Sequence, residues 1–250
     1  ENDGKNNLHS GPDVYQKRMW RVVENGDDHV TFLLHSPDGD QGYPGALDMK
    51  VTYTLDEENG LTIHYEAVPD QDTVINMTNH SYFNLNGHKS GSVLHHRMQL
   101  LSDAFTPADA QSIPTGEVCS VDGTPMDFRS TKELGAEIDA AYEPLILGNG
   151  YDHNWVLKNE GRFDKVAEVT GDESGIVMEV WTDRPGVQVY TANFLENEAG
   201  RNGAVYQKRD AVCLETQNYP DAVHQKNFPE AICKKGETYD TKTAYRFHIE

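Results

Sequence analysis

The stretch V-I-N-M-T-N-H-S-Y-F-N-L, Val74 to Leu85, begins as a strand and ends as something else. In its first half Val74, Asn76 and Thr78 share one face, and Ile75, Met77 and Asn79 the other. Asn79, His80, Ser81, Tyr82 and Asn84 then gather around a single titratable imidazole. A strand that only fills a core would not close on that cluster, because each buried polar group needs a partner. The plainer reading is a hydrogen-bonded core histidine at a strand end. The sharper one is an acid–base histidine, and the flanking sequence has to decide.

Working outward, short alternating runs predict strands over Arg21–Glu24, Val30–Ser36, Leu47–Leu55 and Leu61–Val68. The run Asp56-Glu57-Glu58-Asn59-Gly60 ends in an Asn-Gly hairpin signal. Beyond the central stretch, strands are predicted over Arg97–Ser102, Trp155–Lys158, Lys165–Thr170, Gly175–Thr182, Val187–Asn193, Ala211–Gln217 and Thr243–Ile249. Gly171–Gly175 reads as a tight link between two of them. Lys132–Ala141 is the one helix expected, and Gly148–Asn154 (G-N-G-Y-D-H-N) reads as a glycine-framed polar loop. Many short antiparallel strands and almost no helix indicate an all-β sandwich or barrel in one domain.

The totals narrow the function. A formal charge of -20 and a pI near 4.8 argue against nucleic acid and anionic membrane surfaces as partners. They are compatible with a neutral ligand such as a sugar. The 3 cysteines, Cys119, Cys213 and Cys233, include no C-x-x-C pair. They suit neither a disulfide framework nor a zinc site, so a reducing, cytoplasmic location is expected. No apolar run approaches the roughly 18–20 residues that span a bilayer.

Alternation also brings polar groups together. In Ala211–Gln217, Cys213, Glu215 and Gln217 share a face while Val212 and Leu214 point into the core. In Val187–Asn193, Gln188, Tyr190 and Ala192 oppose Val187 and Val189. A mid-strand glutamate flanked by Val, Cys and Leu is costly to bury alone, and a solvated surface glutamate is the alternative. His9 and His80 fall at the ends of different predicted strands, and Asp152 and His153 in the glycine-framed loop. Two imidazoles and two carboxylates make an acid–base constellation. H-x-H and H-E-x-x-H are absent, so metal ranks well below acid–base work. With no G-x-G-x-x-G after a strand and no P-loop, dinucleotide and nucleotide-phosphate chemistry are not expected.

T-N-H-S-Y-F-N-L (Thr78–Leu85), I-P-T-G-E (Ile113–Glu117), G-T-P-M-D-F-R (Gly123–Arg129), G-Y-D-H-N (Gly150–Asn154), G-V-Q-V-Y-T-A-N (Gly186–Asn193) and C-L-E-T-Q-N-Y-P-D-A (Cys213–Ala222) follow in order. Together they closely resemble the galactose mutarotase, or aldose 1-epimerase, family along essentially the whole chain. The resemblance implies a large antiparallel β-sandwich, the galactose mutarotase-like supersandwich, with an open sugar-binding cleft. It implies no cofactor, no metal, and interconversion of α and β anomers of free hexoses. By that likeness Glu215 is the general base at the anomeric hydroxyl and His80 the general acid at the ring oxygen. His9 hydrogen-bonds the sugar near the reacting centre, and Asp152 and Gln188 hold ring hydroxyls.

Two departures from the family pattern stand out. Ser10 takes the place of the first of two glycines that usually follow the first histidine. The family's upstream strands, with an Asn-Arg pair whose arginine reaches the sugar, have no counterpart in residues 1–250. A chain beginning at Glu1 is therefore expected to leave a sheet edge open and to self-associate there. The rival reading is a non-catalytic sugar-binding or regulatory module on the same fold. An epimerase of hexose 6-phosphates would need arginines for the phosphate, and the cleft motifs supply almost none.

Overall fold

A computed structural model describes residues 1–250. The chain opens with β1 (Arg21–Asn25), β2 (His29–Ser36), β3 (Leu47–Leu55) and β4 (Gly60–Pro69), an antiparallel meander. The Asn-Gly turn forms as its sequence predicts. Asn59 takes a φ of 61°, and the Asp56 side chain accepts from the Gly60 N–H at 2.6 Å and the Glu58 N–H at 3.0 Å. A Cβ at position 60 would lie 2.4 Å from that carboxylate, so any larger residue would have to displace the Asp56 side chain.

The middle of the chain contributes β5 (Thr73–Val74), β6 (Arg97–Leu100), β7 (Ala104–Thr106), β8 (Cys119–Ser120), β9 (Lys132–Glu133) and the short helix α1 (Glu143–Leu147). Then come β10 (Asp152–Val156), β11 (Asp164–Thr170), β12 (Ile176–Thr182), β13 (Gly186–Tyr190), β14 (Glu198–Ala199) and β15 (Val205–Tyr206). β16 (Cys213–Gln217), β17 (Ile232–Cys233) and β18 (Tyr239–Ile249) finish it. No helix is long and apolar enough to cross a membrane.

A 9-stranded sheet runs β1-β2-β3-β4-β18-β12-β11-β6-β9, and a 5-stranded sheet runs β16-β13-β10-β7-β8. β18 joins the two halves of the larger sheet, pairing with β4 on one side and β12 on the other. Most inward-facing residues of the inner strands are apolar, and these side chains meet between the sheets. Met98, Leu100, Val169, Met178, Val180 and Tyr245 from one sheet join Phe105, Trp155, Val187, Val189 and Leu214 from the other in one cluster. Fully burying a side chain such as Leu214 stabilises by about 1.5–3 kcal/mol. Hydrogen bonds tie the layers as well: the Tyr245 hydroxyl lies 2.9 Å from the Leu214 carbonyl, and Thr216 bonds Thr243 through their hydroxyls.

The architecture is the antiparallel sandwich expected, with corrections in detail. Lys132–Ala141 is not a helix. Lys132–Glu133 pairs with β6, Leu134 and Gly135 donate to the carbonyls of His96 and Leu94, and the segment then continues in turns and bends. A Cβ at Gly135 would sit 2.9 Å from Leu94, so this glycine allows the close approach. The true helix starts later, at Glu143, with Pro144 in its first turn. The expected loop Gly148–Asn154 is a turn only as far as Tyr151; Asp152 already belongs to β10. Strand Val187–Asn193 stops at Tyr190, because Ala192 turns to a φ of 49°. The central stretch is a strand only over Thr73–Val74. Beyond it the chain runs extended without ladder partners until a single bridge, Phe83 to Val212.

Candidate active site

β16 is an edge strand of the smaller sheet, with Leu214 and Thr216 turned toward the larger one. Alternation sends Cys213, Glu215 and Gln217 to the other face. Glu215 is nevertheless only 5% exposed, which excludes the solvated surface glutamate. It lines a cleft of about 960 Å³ together with His9, His80 and Tyr82, and with apolar residues of β2 to β4 such as Phe32, Met49 and Val51.

His80 reaches Glu215 because its segment is fastened at both ends. Before it, Asn76 and Asn218 exchange bonds: Asn218 N–H donates to Asn76 Oδ1 at 2.8 Å, and Asn76 Nδ2 donates to the Asn218 carbonyl at 3.2 Å. After it, Phe83 and Val212 exchange backbone hydrogen bonds, each 2.9 Å long. Asn79 is held between the hydroxyls of Tyr65 and Tyr245, at 3.3 and 3.0 Å. The result sets His80 Nε2 3.5 Å from Glu215 Oε1.

Aromatic rings fix the imidazole. Tyr82 stacks on His80 with centroids 4.9 Å apart, Tyr190 meets it edge-on at 5.8 Å, and His9 edge-on at 5.4 Å. Neither histidine lies at a strand end as expected. His9 sits in a turn with a φ of 50°, and His80 in the unpaired stretch. Ser10, the residue standing for a glycine, also takes a positive φ, 72°.

Gln188 lies directly opposite Glu215 in the β13–β16 register, and its Nε2 donates to Asp152 Oδ1 at 2.8 Å. Neither Asp152 nor Gln188 is among the residues lining the cleft itself. The Gln188 Oε1 atom is buried without a partner, an acceptor still open to a hydroxyl. His153 leaves the constellation. It is 2% exposed, packed edge-on against Phe105 and Trp155, and its Nδ1 accepts from the Asp152 N–H at 3.1 Å.

Burial dominates the electrostatics. It pushes the Glu215 carboxyl up to about 8, with the Asp152 charge adding to the effect. Burial likewise pushes Asp152 up to about 6, against the pull of the Gln188 hydrogen bond. His80 is held below its ordinary value by burial and then by the neighbouring His9. Without sugar, burial therefore disfavours both the ionised Glu215 carboxyl and the cationic His80 imidazole.

Of the residues the sequence singled out, the structure brings His80, Glu215 and His9 together at the cleft and sets Asp152 and Gln188 beside them, outside its lining. Sequence reasoning missed the parts that hold them. Tyr82 was visible in the polar cluster and Tyr190 on the face of Gln188, but their packing on one ring depends on separate elements. The Asn76–Asn218 exchange joins residues far apart in the chain and has no local signal.

The chain belongs to the aldose 1-epimerase family, whose pattern it matches over residues 1–246. It is 45% identical over 251 residues to galactose mutarotase of Bos taurus, covering 99% of this chain and 71% of that protein. To aldose 1-epimerase of Escherichia coli K12 it is 38% identical, covering 99% of this chain and 72% of that one. Among solved structures, the aldose epimerase homologue from C. elegans superposes with a TM-score of 0.90 at 29% identity, over 99% of this chain and 74% of that one.

Proposed function

We propose that this chain interconverts the α and β anomers of a free hexose, galactose or glucose, by acid–base opening of the ring. The observation that carries the reading is the 3.5 Å separation of His80 Nε2 and Glu215 Oε1 at the cleft. The two oxygens to be served, O1 and O5 of the sugar, are bonded to the same carbon. Acid and base must therefore stand side by side on different elements, as these two do.

In the forward leg Glu215 takes the O1 proton, the O1–H electron pair becomes the carbonyl, and the C1–O5 bond breaks. Its electrons go to O5, which takes the proton of His80. Rotation about C1–C2 presents the other face, and the same groups run in reverse. The pair holds one proton throughout. Ionised Glu215 with cationic His80 opens the ring; protonated Glu215 with neutral His80 closes it. His9 faces the reacting centre, and Asp152 with the open acceptor of Gln188 suits ring hydroxyls. The chemistry needs no cofactor, so chelators should leave the rate intact. Three unpaired thiols suit a reducing compartment such as the cytoplasm.

The test is proton NMR of freshly dissolved α-galactose, which reads the approach to the anomeric equilibrium. The chain should speed the approach and leave the end point unchanged. Glu215→Gln or His80→Asn should lower kcat by about 10²–10⁴ with folding retained. Either variant turning over at the parent rate would remove that residue from the mechanism. Sugar binding without acceleration would make the chain the non-catalytic module instead.

A further inference from the structure

We propose that His80, Cys213 and Glu215 also form a binding site for a borderline-soft divalent cation such as Zn²⁺, held in the place of the sugar. One ligand atom of each side chain lies within 4.8 Å of the other two. Cys213 and Glu215 are alternate residues of β16 and so share a face. His80 is delivered to them by the segment fastened at Asn76 and Phe83. Nitrogen, sulfur and oxygen donors in one triad are ligands that Zn²⁺ takes, and the soft sulfur favours it over Mg²⁺ or Ca²⁺.

Ring opening has no use for the thiol. Cys213 is fully buried, shut away from any solute that would use it as a nucleophile in the free cleft. Its one chemical distinction is its place beside the two groups proposed for proton transfer.

Tetrahedral bonds of about 2.0–2.3 Å set ligand atoms about 3.3–3.8 Å apart. His80 and Glu215 already stand at 3.5 Å, so only the longer edges of the triangle must contract, by up to about 1 Å. On binding, the thiol proton and the proton held between His80 and Glu215 leave to solvent. The cation then holds a thiolate, a neutral imidazole and a carboxylate, with its fourth position left to water from the cleft. The site stands on this geometry, whereas its power to stop turnover rests on the acid–base reading above.

Titration of the whole chain with Co²⁺, followed by absorption, tests the site. A thiolate–Co²⁺ bond gives an intense near-ultraviolet charge-transfer band that imidazole and carboxylate do not. The parent should show the band, and Cys213→Ser and Cys213→Ala should not. Zn²⁺ should inhibit α-galactose anomerisation competitively with sugar and reversibly with EDTA. Both variants should keep the metal-free rate. They should raise the half-inhibiting Zn²⁺ concentration at least as far as loss of an outer partner would, about 10–100-fold. No band at saturating Co²⁺, or equal Zn²⁺ inhibition of parent and variants, would overturn the proposal. A band without inhibition would leave the site standing and overturn the catalytic roles of His80 and Glu215.

Discussion

Burying Glu215 beside Asp152 has a free-energy cost that the rest of the fold must offset. A carboxyl at 5% exposure, raised to about 8, is stable only while it keeps its proton. Because its folded value lies above the unfolded one, its contribution is fully present below about pH 4.5. It is lost between there and about pH 8, and no further loss follows above that. Glu215→Gln should therefore stabilise the fold at pH 8.5 by up to about 3–5 kcal/mol and hardly at pH 4. Denaturant melts at the two pH values check this, and an equal effect at both would contradict the burial argument. Ser10 presents a smaller case. A non-glycine residue at a φ of 72° costs about 1–2 kcal/mol, against the 0.5–1 kcal/mol entropic cost of glycine. Ser10→Gly should raise stability by about 0.5–1 kcal/mol, read from the shift in melting midpoint. None of this was legible from position 215 alone. A mid-strand glutamate alternates identically whether it faces water or a cleft, and only the arrival of His80 and its aromatic neighbours tells the two apart.

At the level of elements, the strands paired through local turns were the readable ones. β2, β3 and β4 carry their own alternation and hairpin chemistry, and their expected bounds fall within a residue or two of those observed. The errors came where long-range pairing overrides local preference. Lys132–Glu133 reads as helix until its neighbours tie to the carbonyls beside β6, and Val74–Asn79 alternates as a strand although beyond Val74 it forms no ladder. That segment depends on its fasteners. Asn76→Ala should lose about 1–3 kcal/mol, two hydrogen bonds' worth, and should lower kcat because His80 is no longer held against Glu215. Asn76→Asp keeps the acceptor for the Asn218 N–H and should recover part of kcat. An unchanged rate in the alanine variant would show that Phe83 and the aromatic packing suffice. On β16, Leu214→Ala should destabilise by roughly 2–5 kcal/mol with the denaturant slope unchanged, because the residue is sealed between the sheets.

For the molecule as a whole, the two sheets bring β16 and the central segment together so that a carboxyl and an imidazole stand 3.5 Å apart, close enough for the proposed sharing of one proton. A pair that works with one proton has two inactive forms, doubly protonated on the acid side and bare on the alkaline side. Burial of Glu215 places the alkaline boundary near pH 8, and the depressed His80 places the other below the ordinary histidine range. The measurement that tests this most directly is the enzymatic rate of α-galactose anomerisation by NMR from pH 4 to 10, with the buffer-only rate subtracted at each point. The account predicts a bell whose alkaline limb falls through about pH 8 and which vanishes in Glu215→Gln. A rate that stays level from pH 7 to 10, or a bell that survives in Glu215→Gln, would contradict the shared-proton mechanism.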